Sequence, residues 1–132
     1  MSDDGFELLI RKEGAIRPLD EASLDSDQPM KAILEILANE RRRCIIYYLR
    51  EHESAVVDTL IDHVRAHEWG GSPVSPDPSQ RERLRVELLH AHLPKLENAG
   101  VVEFERTGEY VEYVTASETF ELFVQLAESA ER

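Results

Sequence analysis

The chain has 132 residues, of which 42% are hydrophobic, which suits one modest core and argues against global disorder. Its 27 acidic and 15 basic residues give a net charge of −12, which affects solubility and association rather than fold. Cys44 is the single cysteine, so an internal disulfide is excluded and a reducing cytoplasm is the expected location. The longest apolar run, Cys44–Leu49, is too short to cross a membrane, and the acidic N-terminus does not resemble a signal peptide.

The charge is unevenly distributed along the chain. Residues 1–29 and 99–132 carry net charges of −5 and −6, whereas residues 30–98 carry only −1. Twelve of the 15 basic residues are arginine. A high acid content with so little lysine resembles the proteins of salt-loving archaea; the alternative is an acidic soluble protein of another source.

The N-terminal part of the chain is predicted to differ from the rest. Residues 1–27 lack a sustained hydrophobic period, so we expect an acidic flexible arm there. Its one apolar patch, within Phe6–Ile10, is a candidate to pack on the domain or on a partner. A folded domain is predicted over residues 28–115, followed by a C-terminal helix over residues 116–132.

Three helices and a very short strand are predicted before the middle of the chain. Pro29 suits the first turn of a helix, and Asn39 is a candidate N-cap for a second helix. The short strand is expected at Ala55–Val57, and Asp58 is expected to cap the helix that follows. The glycine- and proline-rich segment Gly70–Pro78 is predicted to be a loop.

The next predicted helix is the longest. Ser79 and Glu82 have the S-x-x-E spacing of a capping box, and the helical pattern runs to about Asn98. Pro94 lies inside this helix, where it removes the hydrogen bond to the carbonyl of His90. We therefore expect a kink or a division at this proline.

A hairpin and a last helix complete the pattern. Gly100 ends the long helix, and the runs Val101–Glu105 and Tyr110–Thr115 are predicted strands joined by Arg106–Glu109. Ser117 is the candidate cap of the C-terminal helix. The order of elements predicts a mainly α fold with a small β-hairpin.

A helical wheel of the long helix, at about 100° per residue, predicts two faces. The expected core stripe contains Val86, Leu89, Leu93 and Leu96. A second, largely basic stripe contains Arg81, Arg85, Leu88, His92 and Lys95, with Arg83 outside it. A helix that is buried on one side and basic on another suits the major groove of DNA, where arginine reaches phosphates and guanine edges. The alternative is a basic helix face that is only solvated.

Two segments resemble a known group of proteins. Residues 92–102, HLPKLENAGVV, resemble the end of the recognition helix and the first wing strand of arsenic-repressor-like transcriptional regulators. Residues 37–49, LANERRRCIIYYL, resemble the opening helix of the same proteins. With its acidity, the chain looks most like a haloarchaeal winged helix-turn-helix family of unknown function. The resemblance implies a winged helix-turn-helix fold over about residues 30–114, but it does not imply a DNA target.

The leading functional hypothesis is a non-catalytic, DNA-binding transcriptional regulator. Double-stranded DNA is the expected partner, and the candidate contacts are Arg81, Arg85, His92, Lys95 and Arg106. The hairpin carries four glutamates against the single Arg106, so we expect the helix to contribute more than the hairpin to DNA contact. The alternative is a winged-helix module that binds another protein through its acidic surfaces.

Regulators of this type often dimerise, and the C-terminal helix offers a candidate interface. Its apolar face contains Phe120, Phe123, Leu126 and Ala130. The alternative for these residues is packing within the chain, onto Ile33 and Leu37.

Other chemistry has little support in the sequence. His63 and His67 have the i, i+4 spacing of metal ligands, but no third ligand is indicated, so no metal site is predicted. No motif for catalysis, for a cofactor or for a small-molecule substrate is present, and we expect no enzymatic activity.

Overall fold

The computed structural model describes residues 29–68, 77–114 and 117–131. The predicted arm at residues 1–27 and most of the predicted loop at residues 70–78 lie outside these ranges. The elements are α1 (Pro29–Leu37), α2 (Glu40–His52), β1 (Ser54–Val56), α3 (Val57–Glu68), α4 (Pro78–Glu87), a π-helical segment (Leu88–His92), α5 (Leu93–Asn98), β2 (Val102–Glu105), β3 (Tyr110–Tyr113) and α6 (Glu118–Glu131). Because α4, the π-helical segment and α5 follow one another without a break, we call residues 78–98 together the long helix.

The predicted caps of α2 and α6 are confirmed. The side chain of Asn39 accepts a hydrogen bond from the backbone N–H of Arg42, at 3.0 Å. The hydroxyl of Ser117 accepts one from the N–H of Phe120, also at 3.0 Å. Each cap satisfies an N–H group that has no partner inside its helix, and so it fixes where the helix begins.

Two predicted caps are wrong. α4 begins at Pro78 and is capped by Asp77, whose carboxylate accepts from the N–H of Ser79 at 3.0 Å. Ser79 therefore lies inside the first turn. α3 begins directly after β1, so Asp58 lies in its first turn rather than at the cap. There its charge still favours the helix, because the N-terminal end of a helix attracts anions.

The predicted hairpin is present and forms part of a three-stranded antiparallel sheet with the order β1-β3-β2. In its register Val111 lies opposite Phe104 on one side and Ala55 on the other. Two backbone hydrogen bonds extend the pairing of β1 with the hairpin: Val57 N–H to Glu109 O and Tyr113 N–H to Glu53 O, both at 2.9 Å. The hairpin is thereby fixed to the start of α3.

The core lies between the helices and the inner face of the sheet. Along β2 the side chains alternate between buried and exposed, with Val102 and Phe104 inside. One cluster joins buried side chains of the helices and of the sheet, including Ile33, Ile45, Leu60, Leu88, Val111 and Phe120. The observed architecture is thus mainly α with a small antiparallel sheet.

Candidate nucleic-acid interface

The long helix buries one side and exposes another, but not the sides that the helical wheel predicts. The buried residues are Leu84, Leu88, His92, Leu93 and Leu96. Val86, which the wheel places in the core, is 46% exposed, and Leu88, which it places in the basic stripe, is completely buried. Ten residues of the long helix are exposed. Six of them follow one another at intervals of three to five residues along one side, and we call these six the exposed strip: Ser79, Arg83, Val86, His90, Lys95 and Asn98. The other four are Pro78, Gln80, Glu82 and Ala91.

The π-helical segment explains this difference. The N–H of Leu93 bonds to the carbonyl of Leu88, five residues back, so this turn holds one more residue than an α-helical turn. One extra residue rotates the following faces by about 100° relative to a regular helix. The wide turn lies immediately before Pro94, which has no N–H to donate. The predicted irregularity is therefore present, as a change of helix type.

His92 does not lie on the surface. It is 4% exposed, and its Nε2 lies 2.6 Å from Glu87 Oε2, while its Nδ1 lies 3.3 Å from Arg42 Nη1. Because a guanidinium only donates, Nδ1 accepts from Arg42 and Nε2–H donates to Glu87. The predicted contact of His92 with DNA is not supported by its position, and its observed role is to join α2 to the long helix.

Arg41 and Arg42 extend this network across the N-terminal end of α2. Arg42 donates to the carbonyls of Ile36 and Glu35 at the end of α1, at 2.9 and 2.8 Å. Arg41 donates to Glu68 of α3 and to Glu87 of the long helix, at 2.5 and 2.6 Å. Burial raises the pKa of the Glu87 carboxyl, but hydrogen bonds from His92 and Arg41 outweigh it, so the pKa lies below its ordinary value.

Arg81 and Arg85, two of the predicted DNA contacts, are bonded to carboxylates of the same chain. Arg81 is bonded to Asp62 and lies 3.5 Å from Asp58. Arg85 is bonded to Glu109 in the β2–β3 turn and lies 3.3 Å from Asp58. Arg81 thus faces the first turns of α3, and Arg85 lies between α3 and the hairpin.

The exposed strip itself carries two cations. Arg83 and Lys95 are exposed, and within residues 29–68, 77–114 and 117–131 neither makes a hydrogen bond or an ion pair. Lys95 was a predicted DNA contact, whereas Arg83 was not. No local sequence signal identifies Arg83, because its exposure depends on how the long helix is rotated.

Arg106, the predicted contact from the hairpin, lies in the β2–β3 turn. Its side chain is 60% exposed, bonds to Glu97 at 3.1 Å and lies over the ring of Phe104, 4.8 Å from the centroid. The neighbouring strands expose Glu103, Glu105 and Glu112. The outer face of the sheet is therefore acidic.

The predicted dimer residues do not share one environment. Phe120 is completely buried in the same cluster as Ile33 and Leu37, so it cannot lie on a dimer face, and the alternative of packing within the chain applies to it. Phe123 is half-buried and Ala130 is exposed. Leu126 is 66% exposed, and Leu122, which was not predicted, is 63% exposed.

Exposed apolar side chains also lie on α1, beside α6. Arg43 joins the C-terminal ends of these helices, because it donates to Leu37 O at 2.7 Å and to Glu131 Oε2 at 2.6 Å. Leu34 and Met30 lie one and two turns before that end of α1, and both are at least half exposed. Leu126 and Leu122 lie at similar distances before the end of α6, so the four side chains lie at similar heights on two helices in contact.

The predicted histidine pair has other partners. His63 packs against Tyr48, with ring centroids 4.7 Å apart, and burial lowers its pKa. His67 bonds to Glu40 at 3.1 Å. Among the described residues, no group of three His, Cys, Asp or Glu side chains is placed to hold a metal ion.

The chain matches one known protein family. Within the described part of the chain, none of the helices has the length and apolar character that crossing a bilayer requires. Searches of the curated proteins and of the solved structures gave no match. A protein-family model described as Domain of unknown function (DUF7344) matches residues 34–112, which is more than half of the chain and runs from α1 into β3. The chain therefore belongs to the DUF7344 family.

Proposed function

We propose that this chain is a non-catalytic, DNA-binding transcriptional regulator of the winged-helix type that acts in the cytoplasm. In this assignment α2, α3 and the long helix are the three helices of the helix-turn-helix, and β2–β3 is the wing. The antiparallel pairing of β1 with β3 supports it, because this pairing fixes the hairpin to the start of α3, and Glu109 of the hairpin bonds to Arg85 of the long helix. The acid-rich, lysine-poor composition supports an origin in a salt-loving archaeon.

The observation that carries the proposal is the exposed strip. From Ser79 to Asn98 it extends about 28 Å along the helix, at 1.5 Å per residue, which is enough to follow a major groove. Arg83 and Lys95 are available for phosphates or for guanine, and Asn98 is of the residue type that pairs with adenine. Glu82, beside the strip, is the acidic side chain that opposes this contact most directly.

We propose a second copy of the chain as the other partner. Met30, Leu34, Leu122 and Leu126 are exposed apolar side chains of the two neighbouring helices α1 and α6, and burying them against the same residues of a second copy removes apolar surface from water. A two-fold dimer presents two long helices to successive major grooves, about 34 Å apart.

A protein-binding module is the second candidate, and one observation favours it. Arg81, Arg85 and Arg106 are all bonded to carboxylates of the same chain, and the outer face of the sheet exposes further glutamates. On the long helix, positive charge available to DNA is therefore limited to Arg83 and Lys95. A basic protein surface is the partner that such a module would bind.

Selection from genomic fragments separates the two candidates. The purified chain is incubated with fragmented genomic DNA of its host, and the retained fragments are sequenced. Arg83→Gln and Lys95→Gln are each compared with Lys31→Gln, which removes the same charge from α1. We expect defined fragments to be enriched by wild type and Lys31→Gln and to be weakened severalfold by the other two variants. Retention without sequence preference, or equal loss in all three variants, contradicts reading by the exposed strip.

A further inference from the structure

We infer that Asp58, Asp62 and Glu109 occupy the phosphate-binding groups of Arg81 and Arg85 in the free protein, so that DNA binds by exchange with these carboxylates. The inference rests on the proposed function, because the competing ligand is a DNA phosphate. It assigns an inhibitory role to these three acidic residues.

The geometry places the carboxylates on both flanks of one helix segment. Asp58 lies between the two arginines, 3.5 Å from Arg81 Nη2 and 3.3 Å from Arg85 Nη1. Asp62 bonds to Arg81 from the next turn of α3, and both oxygens of Glu109 accept from Arg85 Nη2. Carboxylate and phosphate oxygens use the same guanidinium donors, so the two acceptors compete for them.

Glu109 is held in an unusual backbone conformation. Its φ is 52°, in the left-handed region that residues with a side chain seldom adopt, although Gly108 immediately precedes it. Its carbonyl accepts from the N–H of Val57, so the same residue bonds to the start of α3 and, through its side chain, to the long helix. A residue that is kept in such a conformation against its preference is a candidate for a functional role.

The two aspartates are placed for exchange rather than for permanent structure, whereas Glu109 and Arg85 are less exposed, at 36% and 28%. The side chains of Asp58 and Asp62 are about two-thirds exposed, at 65% and 66%, so water and ions reach them. Ion pairs this exposed contribute little to stability and are weakened by salt. When an arginine moves from a carboxylate to a phosphate, the DNA releases a counterion but the carboxylate is left to recruit one. The affinity for DNA therefore falls less steeply with salt than it would if the two arginines had no carboxylate partners.

The test compares two triple variants on one duplex selected from genomic DNA. Asp58→Asn/Asp62→Asn/Glu109→Gln removes the three competing carboxylates. Glu51→Gln/Glu103→Gln/Glu112→Gln removes the same charge from exposed positions that do not bond to these arginines. Both variants are checked for wild-type far-ultraviolet circular dichroism and for melting, and Kd is measured by fluorescence anisotropy from 0.1 to 1 M KCl.

We expect the first variant to bind about three- to tenfold more tightly than the control variant at equal salt. Its slope of log affinity against log salt should be steeper by up to about two, since each phosphate contact adds roughly 0.9. Adding Arg85→Gln should weaken the first variant more than it weakens wild type. Binding by the first variant alone also supports the inference, because masking is then complete.

Two results would overturn the inference, and they are distinguishable. In the first, wild type binds the duplex, and the two triple variants bind it with equal affinities and equal salt slopes. This result overturns the exchange of carboxylate for phosphate but leaves the proposed function in place. Failure of wild type and of both variants to bind any selected duplex overturns the exchange and the proposed function together.

Discussion

The buried imidazole of His92 connects α2 to the long helix through two hydrogen bonds, to Arg42 and to Glu87. Replacing it with leucine removes one hydrogen bond from each partner, although Glu87 keeps its bond to Arg41 and Arg42 keeps its bonds to backbone carbonyls. We expect His92→Leu to lower the free energy of unfolding by about 1–3 kcal/mol, measured by urea denaturation. His90→Leu, at an exposed position of the same π-helical segment, should change it by less than about 0.5 kcal/mol. Equal losses in the two variants would contradict the role of the buried network.

Glu87 gives the same network a dependence on pH. Its pKa is below the ordinary value of 4.5 in the folded protein, so the unfolded chain takes up the proton first as the pH falls. The stability that the carboxylate contributes is therefore complete above pH 4.5 and is lost as the pH drops through the folded pKa. We expect Glu87→Gln to flatten the acid limb of stability between about pH 5 and 3. Glu82→Gln, at an exposed position of the same helix, should leave this limb as in wild type.

At the element scale, the start of the long helix has two candidate N-cap residues, Asp77 and Ser79. The sequence predicts Ser79 as the cap, whereas the structure has Asp77 accepting from the N–H of Ser79. We expect Asp77→Ala to cost about 1 kcal/mol of stability, within the usual range of 0.5–2, and Ser79→Ala to cost a few tenths. Thermal denaturation of the two variants checks this, and a larger loss for Ser79→Ala would restore the capping box.

The elements with local signals could be predicted, and those without could not. The caps of Asn39 and Ser117 and the turn at residues 106–109 follow from residues within four positions of each other. The pairing of β1 with β3 joins residues more than 50 positions apart, and only packing selects its register.

The candidate site was less predictable than the fold because of one turn. On a regular helix Leu84 and Leu93 lie about 180° apart, yet both are buried, since the π-helical segment between them rotates the faces. The sequence carries a cue in Pro94, but not the position or the size of the rotation. Lys95 was thus identified correctly as exposed, His92 was not, and Arg83 was missed.

At the scale of the whole molecule, the apolar surface shared by α1 and α6 predicts self-association. We expect the chain to sediment as a dimer at micromolar concentration, and Leu122→Gln/Leu126→Gln to sediment as a folded monomer. Val56→Gln, which removes another exposed apolar side chain, from β1, serves as the control and should remain dimeric. A wild-type monomer at these concentrations, or a dimer that persists in the double variant, contradicts the interface.

The central claim is that the exposed strip of the long helix reads DNA. The most direct measurement is chromatin immunoprecipitation with sequencing in the native host, comparing wild type with Arg83→Gln/Lys95→Gln at equal protein levels. The account predicts discrete peaks for wild type and their loss in the double variant, because the two cations of the long helix that have no carboxylate partner among the described residues are removed. The absence of discrete peaks in wild type, or peaks unchanged by the double substitution, would contradict it.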